Sequence, residues 1–444
     1  MKQFFSTIVL LFVMSASLSA QPLTSPDGLS QGCEAKRMRV VPYATKELAQ
    51  QYVSEAVESQ YVRPIAEWQR SEDADAVVFT SSYVIPFSWL SRQALIYVEW
   101  ATSAYEVLIN GKKIGYNTNG YAPAEFNITK SSKEEHNTIS IRLLKDHWCE
   151  SLESFDEGAE PALGEVFVLS QPTIRVRNMV SDTELDATGE YANVEVGLVV
   201  KTESLNAKRA RIHYELVAAD TTVVTYGHRD VELQMRGQDT VKFMARIPRS
   251  ELWSADNPVR YRVNVMTQIE GRKVEYQSHW VGFRTVAYDK QTGLMINGKP
   301  TTLKYYGAKT GVSKDELLEA RDKGCNAVRF NSPAVTQRDF RLCEELGMYV
   351  VAQLPIDTSR SGDSRLVDGN ESNNPEWTAA FIERADATWR TTGGFACVVG
   401  YSLAGDSANG ICLYESYLHL KSLEHKRPII YPAAAGEWNN DGDF

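Results

Sequence analysis

The chain has 444 residues, 43% of them hydrophobic, and a formal net charge of −10. That length accommodates two to four domains of ~100–200 residues each. The acidic balance argues against nucleic acids and anionic membrane surfaces as partners.

The first twenty residues have a charged start at Lys2, an apolar run from Phe4 to Met14 and a small-residue exit at Ala20. This pattern predicts a cleavable secretory signal over residues 1–20, and with it a periplasmic or secreted protein. The run is too short to span a membrane, and no second run of that length follows. Residues 21–45 read as an N-terminal leader to the first domain. The cysteines are Cys33, Cys149, Cys325, Cys343, Cys397 and Cys412. Six thiols allow 15 complete pairings, so spacing assigns none of them. The expected state is buried free thiols, since Cys packs as a small hydrophobe. No CxxC or Cys/His cluster is present, so no zinc site is expected.

Residues 46–170 read as all-β. Ile139, Ile141 and Leu143 alternate with Thr138, Ser140 and Arg142, a half-buried strand pattern. Asn110-Gly111 between strand formers predicts a tight hairpin, because both turn positions need positive φ. Residues 171–286 alternate again at Val194, Val196, Leu198 and Val200, at Ile212, Tyr214 and Leu216, and at Tyr261, Val263 and Val265. Short strands at regular spacing predict a β-sandwich. From residue 287 strands and helices alternate, the signature of a parallel sheet. Strands are predicted at about 302–307, 327–330, 348–353, 397–403 and 428–431. The helices between them carry a capping box at Ser313 and Glu316, a Gly347 stop, a Pro375 start, and a face of Leu413, Tyr417 and Leu420.

Residues 398–410 read V-V-G-Y-S-L-A-G-D-S-A-N-G, which resembles the W-S-L-G-N-E-S-G-x-G signature of glycoside hydrolase family 2, the β-galactosidases, β-glucuronidases and β-mannosidases. The stretches A-Y-E-V-L-I-N-G-K-K-I-G-Y, G-Y-A-P-A-E-F-N-I-T and N-T-I-S-I-R-L in residues 104–143 are similar to that family's sugar-binding jelly roll. Leu252–Pro258 and Val281–Arg284 are similar to its immunoglobulin-like domain, and Leu294–Pro300 to the hairpin leading into its barrel. The resemblance implies a jelly roll, an immunoglobulin-like sandwich and an incomplete (β/α) TIM-type barrel over 287–444. A closed barrel needs eight strands and eight helices. Only 38 residues follow Asp406, so about five strands are expected.

The resemblance also implies where chemistry would sit. Retaining glycosidases use two carboxyls about 5–5.5 Å apart. Gly405 and Asp406 occupy the positions of the signature's Asn and Glu, so Asp406 is the candidate acid/base. Its alternative role is a turn or cap residue ahead of Ser407 and Asn409. No nucleophile is found. Glu437, Asp441 and Asp443 follow the fifth strand and read as a frayed acidic terminus. The family's N-A-V-R-x-S-H-Y-P appears as N-A-V-R-F-N-S-P, which keeps Arg329, either to orient a carboxylate or as a structural barrel-bottom ion pair, and puts Arg329 and Asn331 among the candidate substrate contacts. D-E-A-N after strand three is replaced by A-Q-L-P at 352–355. No metal and no cofactor are expected. Trp148, Trp377, Trp389 and Trp438 could stack on sugars, but Trp377 and Trp389 fall on the third helix and are expected in the core. Leu152–Glu157 reads as a solvated loop.

Three functional expectations follow. The first is an exported, catalytically defective relative that binds a glycan, a protein partner or a second copy through an open half-barrel. The second is a working β-glycosidase using Asp406. The third is a truncated reading frame.

Overall fold

The computed structural model describes residues 29–51, 59–156, 158–331, 334–431 and 441. The expected signal at 1–20 therefore lies outside the described residues, as do Glu437, Asp443 and Trp438. No described helix is long and apolar enough to cross a membrane.

The first module packs two antiparallel sheets face to face. One has five strands, with Glu135–Leu144 between Ala76–Ile85 and Tyr105–Ile109. The other has four, centred on Val166–Gln171 and Gln93–Val98. Ile139, Ile141 and Leu143 are buried between them with Ile96 and Phe126, as the alternation requires. Asn110 and Gly111 take φ of 51° and 77°, the expected hairpin turn. The leader is part of this module: Arg37 is buried and forks onto Glu125 at 2.6 and 2.7 Å.

The second module pairs a three-stranded sheet with a four-stranded one. The three predicted strand faces meet in one core, where Val194, Val196, Leu198, Val200, Ile212 and Val263 are fully enclosed.

The third module opens with the hairpin Gly293–Ile296/Lys299–Pro300. Five parallel strands follow: β1 Tyr305–Ala308, β2 Ala327–Phe330, β3 Tyr349–Gln353, β4 Val398–Ser402 and β5 Ile429–Ile430, adjacent in that order. The helices are α1 Lys314–Asp322, α2 Gln337–Leu346, α3 Thr378–Thr392 and α4 Ile411–Leu423. Ser313 and Glu316 form the expected reciprocal cap of α1. Gly347 ends α2 at φ 68°. Pro375 begins a short 3-10 turn, and α3 proper starts only at Thr378. Val328, Phe330, Ala352 and Tyr401 share one sheet face and a core with the helices. The register puts Gly307, Arg329, Gln353, Ser402 and Ile430 on the opposite, concave face.

Three expectations are corrected. Leu152–Asp156 is not a solvated loop. It lies in 3-10 turns Trp148–Leu152 and Ser154–Asp156, with Leu152 fully buried. Burial follows from its partners: the Asp357 amide donates to the Leu152 carbonyl at 2.8 Å, and Glu153 pairs with the enclosed Arg384 at 2.8 Å. Asp441 is not a frayed terminus. It accepts from the Tyr417 hydroxyl at 2.8 Å, Lys421 at 3.0 Å and the Ile429 amide at 2.8 Å, and three donors hold a carboxylate firmly. Those contacts place it at the N-terminal end of β5, away from the strand ends where catalytic groups of such barrels project. The six thiols are all unpaired, but only Cys149, Cys343, Cys397 and Cys412 are buried. Trp377 packs against Trp148 with ring centroids 5.2 Å apart, and both join the barrel core. Trp389 packs there too.

Two predictions concern buried charge. Glu153→Ala strands Arg384 in the barrel wall and should cost about 3–5 kcal/mol in denaturant unfolding, whereas Glu153→Leu with Arg384→Met should recover most of it. Glu424 is half of a second such pair. Burial alone would raise its pKa, but Arg427, donating from Nε at 2.7 Å, reverses this and holds it down at about 2. Its contribution is complete above the unfolded value of about 4.3 and is lost as pH falls toward the folded one. An acid titration of stability should therefore flatten between those limits in Glu424→Gln.

Candidate active site

The C-terminal ends of the parallel strands form a mouth whose main wall is the β4 loop, residues 403–410. Its backbone is sewn to the β3 loop. The Gly405 amide donates to the Ile356 carbonyl at 2.8 Å, and the Thr358 amide to the Asp406 carbonyl at 2.9 Å. Ser407 Oγ accepts from the Thr358 amide at 3.1 Å, and the Tyr431 hydroxyl donates to the Ser407 carbonyl. A short segment closes the other side: Asn370 bonds Thr358 at 3.0 Å, and the Ser372 hydroxyl donates to the Ala408 carbonyl. The loop is rigid because its backbone groups have protein partners on two neighbouring segments.

Asp406 emerges from this loop exposed to solvent. Its side chain makes no hydrogen bond or ion pair with another described residue; only its carbonyl is used. Gly405 beside it is close-packed: a Cβ there would lie 3.1 Å from Gln353 Nε2 and 3.7 Å from Asp357 Oδ2.

Asp357 is the mouth carboxylate that the sequence pattern does not reveal. Its Oδ1 accepts from the Ser359 amide at 3.0 Å and the Ser359 hydroxyl at 2.6 Å, a local turn of the Asp-x-Ser type. Only that turn signal marks it in the sequence. Burial pushes the Tyr431 phenol far up, and the Asp406 and Asp357 charges push it further. Both charges thus act on Tyr431, which no sequence motif links to either.

Arg329 and Asn331 lie at the end of β2 and are exposed. The Asn331 amide donates to the Ala308 carbonyl at 2.9 Å, and its Nδ2 would lie 3.2 Å from a Cβ at Gly307. Arg329 faces Tyr305 on β1, whose phenol is pushed up to about 12 by burial against the pull of that guanidinium. Arg329 and Asp406 belong to strands separated by β3, about 10 Å at ordinary sheet spacing, so the three candidates share the mouth without touching. Tyr121 and Pro123 of the first module reach across to line a cavity of about 120 Å³ with Arg329, Gln353 and Ser402. That volume is below the ~300 Å³ of usual ligand sites. Among the described residues no cluster of three metal-ligating side chains exists.

Comparison with known proteins covers most of the chain. Residues 22–170 match the sugar-binding domain of family 2 glycosyl hydrolases, 174–284 the central domain of that family, and 309–440 its TIM barrel domain. A β-galactosidase of Yersinia enterocolitica is 26% identical over 398 residues, covering 84% of this chain and 37% of the relative. One from Yersinia pestis is 27% identical over 380 residues, covering 80% and 35%. The chain thus spans about a third of the length of these curated relatives. Among solved structures, a Bacteroides uniformis β-glucuronidase superposes with a TM-score of 0.67 at 16% identity, covering 90% of this chain and 52% of that one. A Bacteroides fragilis putative β-galactosidase gives 0.66 at 14%, covering 80% and 55%. These structural likenesses concern the fold.

The packing around Gly405 gives a mutational expectation. In Gly405→Ala the new Cβ presses only on the end of the flexible Gln353 side chain, its other neighbours lying at ordinary contact distances of 3.5 and 3.7 Å, and unfolding free energy should change by less than about 1 kcal/mol. Gly347→Ala, at positive φ and with Ala255 oxygen 2.4 Å from the new Cβ, should lose about 1–3 kcal/mol or more. Equal losses in a urea series would contradict this difference between a yielding side-chain contact at Gly405 and a backbone clash at Gly347.

Proposed function

Because the chain belongs to family 2 of the glycosyl hydrolases, we propose that it is an exported, carbohydrate-binding member in which hydrolysis has been lost. One observation carries this reading: the loop that should present the acid/base carboxyl holds Gly405 and an exposed, unsupported Asp406. Asp is one methylene shorter than Glu, and a displacement of about 1 Å at a reacting group costs on the order of a hundredfold in rate. Asp357, on the neighbouring β3 loop, has one oxygen committed to its own turn. Arg329, Asn331 and Gln353 remain as polar groups for hydroxyl recognition along the concave face. Export rests on the secretory-signal pattern of residues 1–20.

A second reading has one observation in its favour. Asp357 Oδ2 would lie 3.7 Å from a Cβ at Gly405, the neighbour of Asp406, so two carboxylates come from adjacent stretches of the mouth, and a retaining β-glycosidase requires such a pair.

Aryl β-galactosides, β-glucuronides and β-mannosides separate the two readings. The expected result is turnover no higher than that of Asp406→Asn. Turnover that falls at least a hundredfold in Asp406→Asn and in Asp357→Asn would establish a working carboxylate pair and overturn the proposal.

A further inference from the structure

The second module's four-stranded sheet carries an opposed pair of imidazoles. His213 on the strand Lys208–Val217 and His228 on the strand Val223–Leu233 are direct cross-strand partners. Ile212 and Tyr214 point into the core, so His213 between them points outward. The two ring centroids lie 5.3 Å apart, with the planes tilted by 38°. Residues directly opposite on one face of an antiparallel pair have Cβ atoms ~4.5–5.5 Å apart, so the ladder itself holds the rings together. Imidazole nitrogens bind a divalent transition ion at about 2.0–2.1 Å, and a tetrahedral angle then places two ring centres about 5 Å apart. The strands thus already set a chelating separation.

A neighbour prepares one ring for this. Gln268 Nε2 donates to the Gly271 carbonyl at 3.0 Å, which turns the Gln268 side-chain oxygen toward His213 Nε2 at 3.1 Å. That oxygen only accepts, so His213 Nε2 carries the hydrogen and Nδ1 keeps its lone pair. A ligating histidine held by an acceptor in this way is fixed in tautomer and orientation. His228 is exposed, and its ring makes no hydrogen bond with another described residue. Charges beside the pair are tied up. Asp230 forks onto Arg211 at 2.7 and 2.9 Å, and Glu215 is bridged by Lys46 at 3.1 Å. Arg229, opposite the buried Ile212, turns back onto the His228 carbonyl at 3.1 Å.

We propose that His213 and His228 chelate one divalent late-transition ion, Cu²⁺ more tightly than Ni²⁺ or Zn²⁺, with water in the remaining positions. That order is the general one for nitrogen ligands. A two-ligand site is compatible with the absence of three-ligand clusters among the described residues. Val223–Leu233 is the outer strand of its sheet, paired on one side only, and the ion ties it to its neighbour. No residue of the mouth takes part, so this site is independent of how the mouth is read.

Calorimetry and electron paramagnetic resonance of the untagged full chain test this, with the chlorides of Cu²⁺, Ni²⁺, Zn²⁺ and Mg²⁺ as probes. Cu²⁺ should bind tightest, as one equivalent coupled to two nitrogens, and Mg²⁺, which takes oxygen ligands, should not compete. His213→Gln, His228→Gln and the double variant should each weaken that equivalent at least about tenfold and to the same extent, because a chelate needs both rings. Gln268→Leu should weaken it at least about tenfold through lost control of the tautomer, whereas Gln268→Glu, which keeps an acceptor, should retain it. Asp406→Asn should leave it unchanged. Circular dichroism certifies each variant as folded. Absence of Cu²⁺ binding would overturn the proposal, as would a Cu²⁺ equivalent that survives either histidine variant. Two separate equivalents, one lost with each histidine, would mean ordinary surface imidazoles and overturn it too. Loss of binding in Gln268→Glu as deep as in Gln268→Leu would overturn the positioning role of Gln268.

Discussion

A guanidinium with no solvent exposure has to meet a carboxylate, and for Arg384 that carboxylate is Glu153, carried by another module. An unpaired charge in such a position costs several kcal/mol, so the barrel wall is complete only when the first module is docked. The rest of that junction follows. The turns at 148–156 run beside the β3 loop, exchanging backbone hydrogen bonds at Leu152, Ser154 and Asp357. Phe155 meets Tyr121 edge-on at 5.1 Å, which helps bring the first module's loop to the mouth. His147, beside the pair, is pushed down to about 4 by burial and by Arg384, so it remains neutral at neutral pH and adds no second cation.

On the other side Trp253 does similar work without charge. It is fully buried and donates from its indole to the Glu344 carbonyl at 2.8 Å, while its own carbonyl accepts from Asn297. The mouth therefore has stiff walls on a stiff base. Its departure from the hydrolase pattern lies in side chains rather than in backbone: the strand, the turn and its hydrogen bonds are intact around Gly405 and Asp406. Such a scaffold presents its polar groups reproducibly.

The fold was legible in the sequence wherever local chemistry decides it. Alternation at Val194–Val200, the Asn110-Gly111 turn, the Ser313/Glu316 cap and the Gly347 stop each specify geometry within a few residues. All five barrel strands were placed within about two or three residues of their observed bounds. What failed were contacts between distant segments. Glu153 reads as a loop acid because its partner is 231 positions away. Asp441 reads as a tail acid because Lys421, Tyr417 and the Ile429 amide converge on it only in three dimensions. At the mouth, the family signature led directly to Asp406, but Asp357 has no signal beyond its turn.

The pairing of Glu153 with Arg384 also has a temporal side. Translation delivers the acid 231 residues before the base, an interval of ~10–50 s at 5–20 residues per second. During that time the jelly roll and the immunoglobulin-like sandwich can each close on their own apolar cores. The barrel segment has no such autonomy, because its wall contains a cation whose neutralising group already sits on a finished surface. The first module is therefore a template laid down in advance, and the last third of the chain is assembled against it rather than beside it.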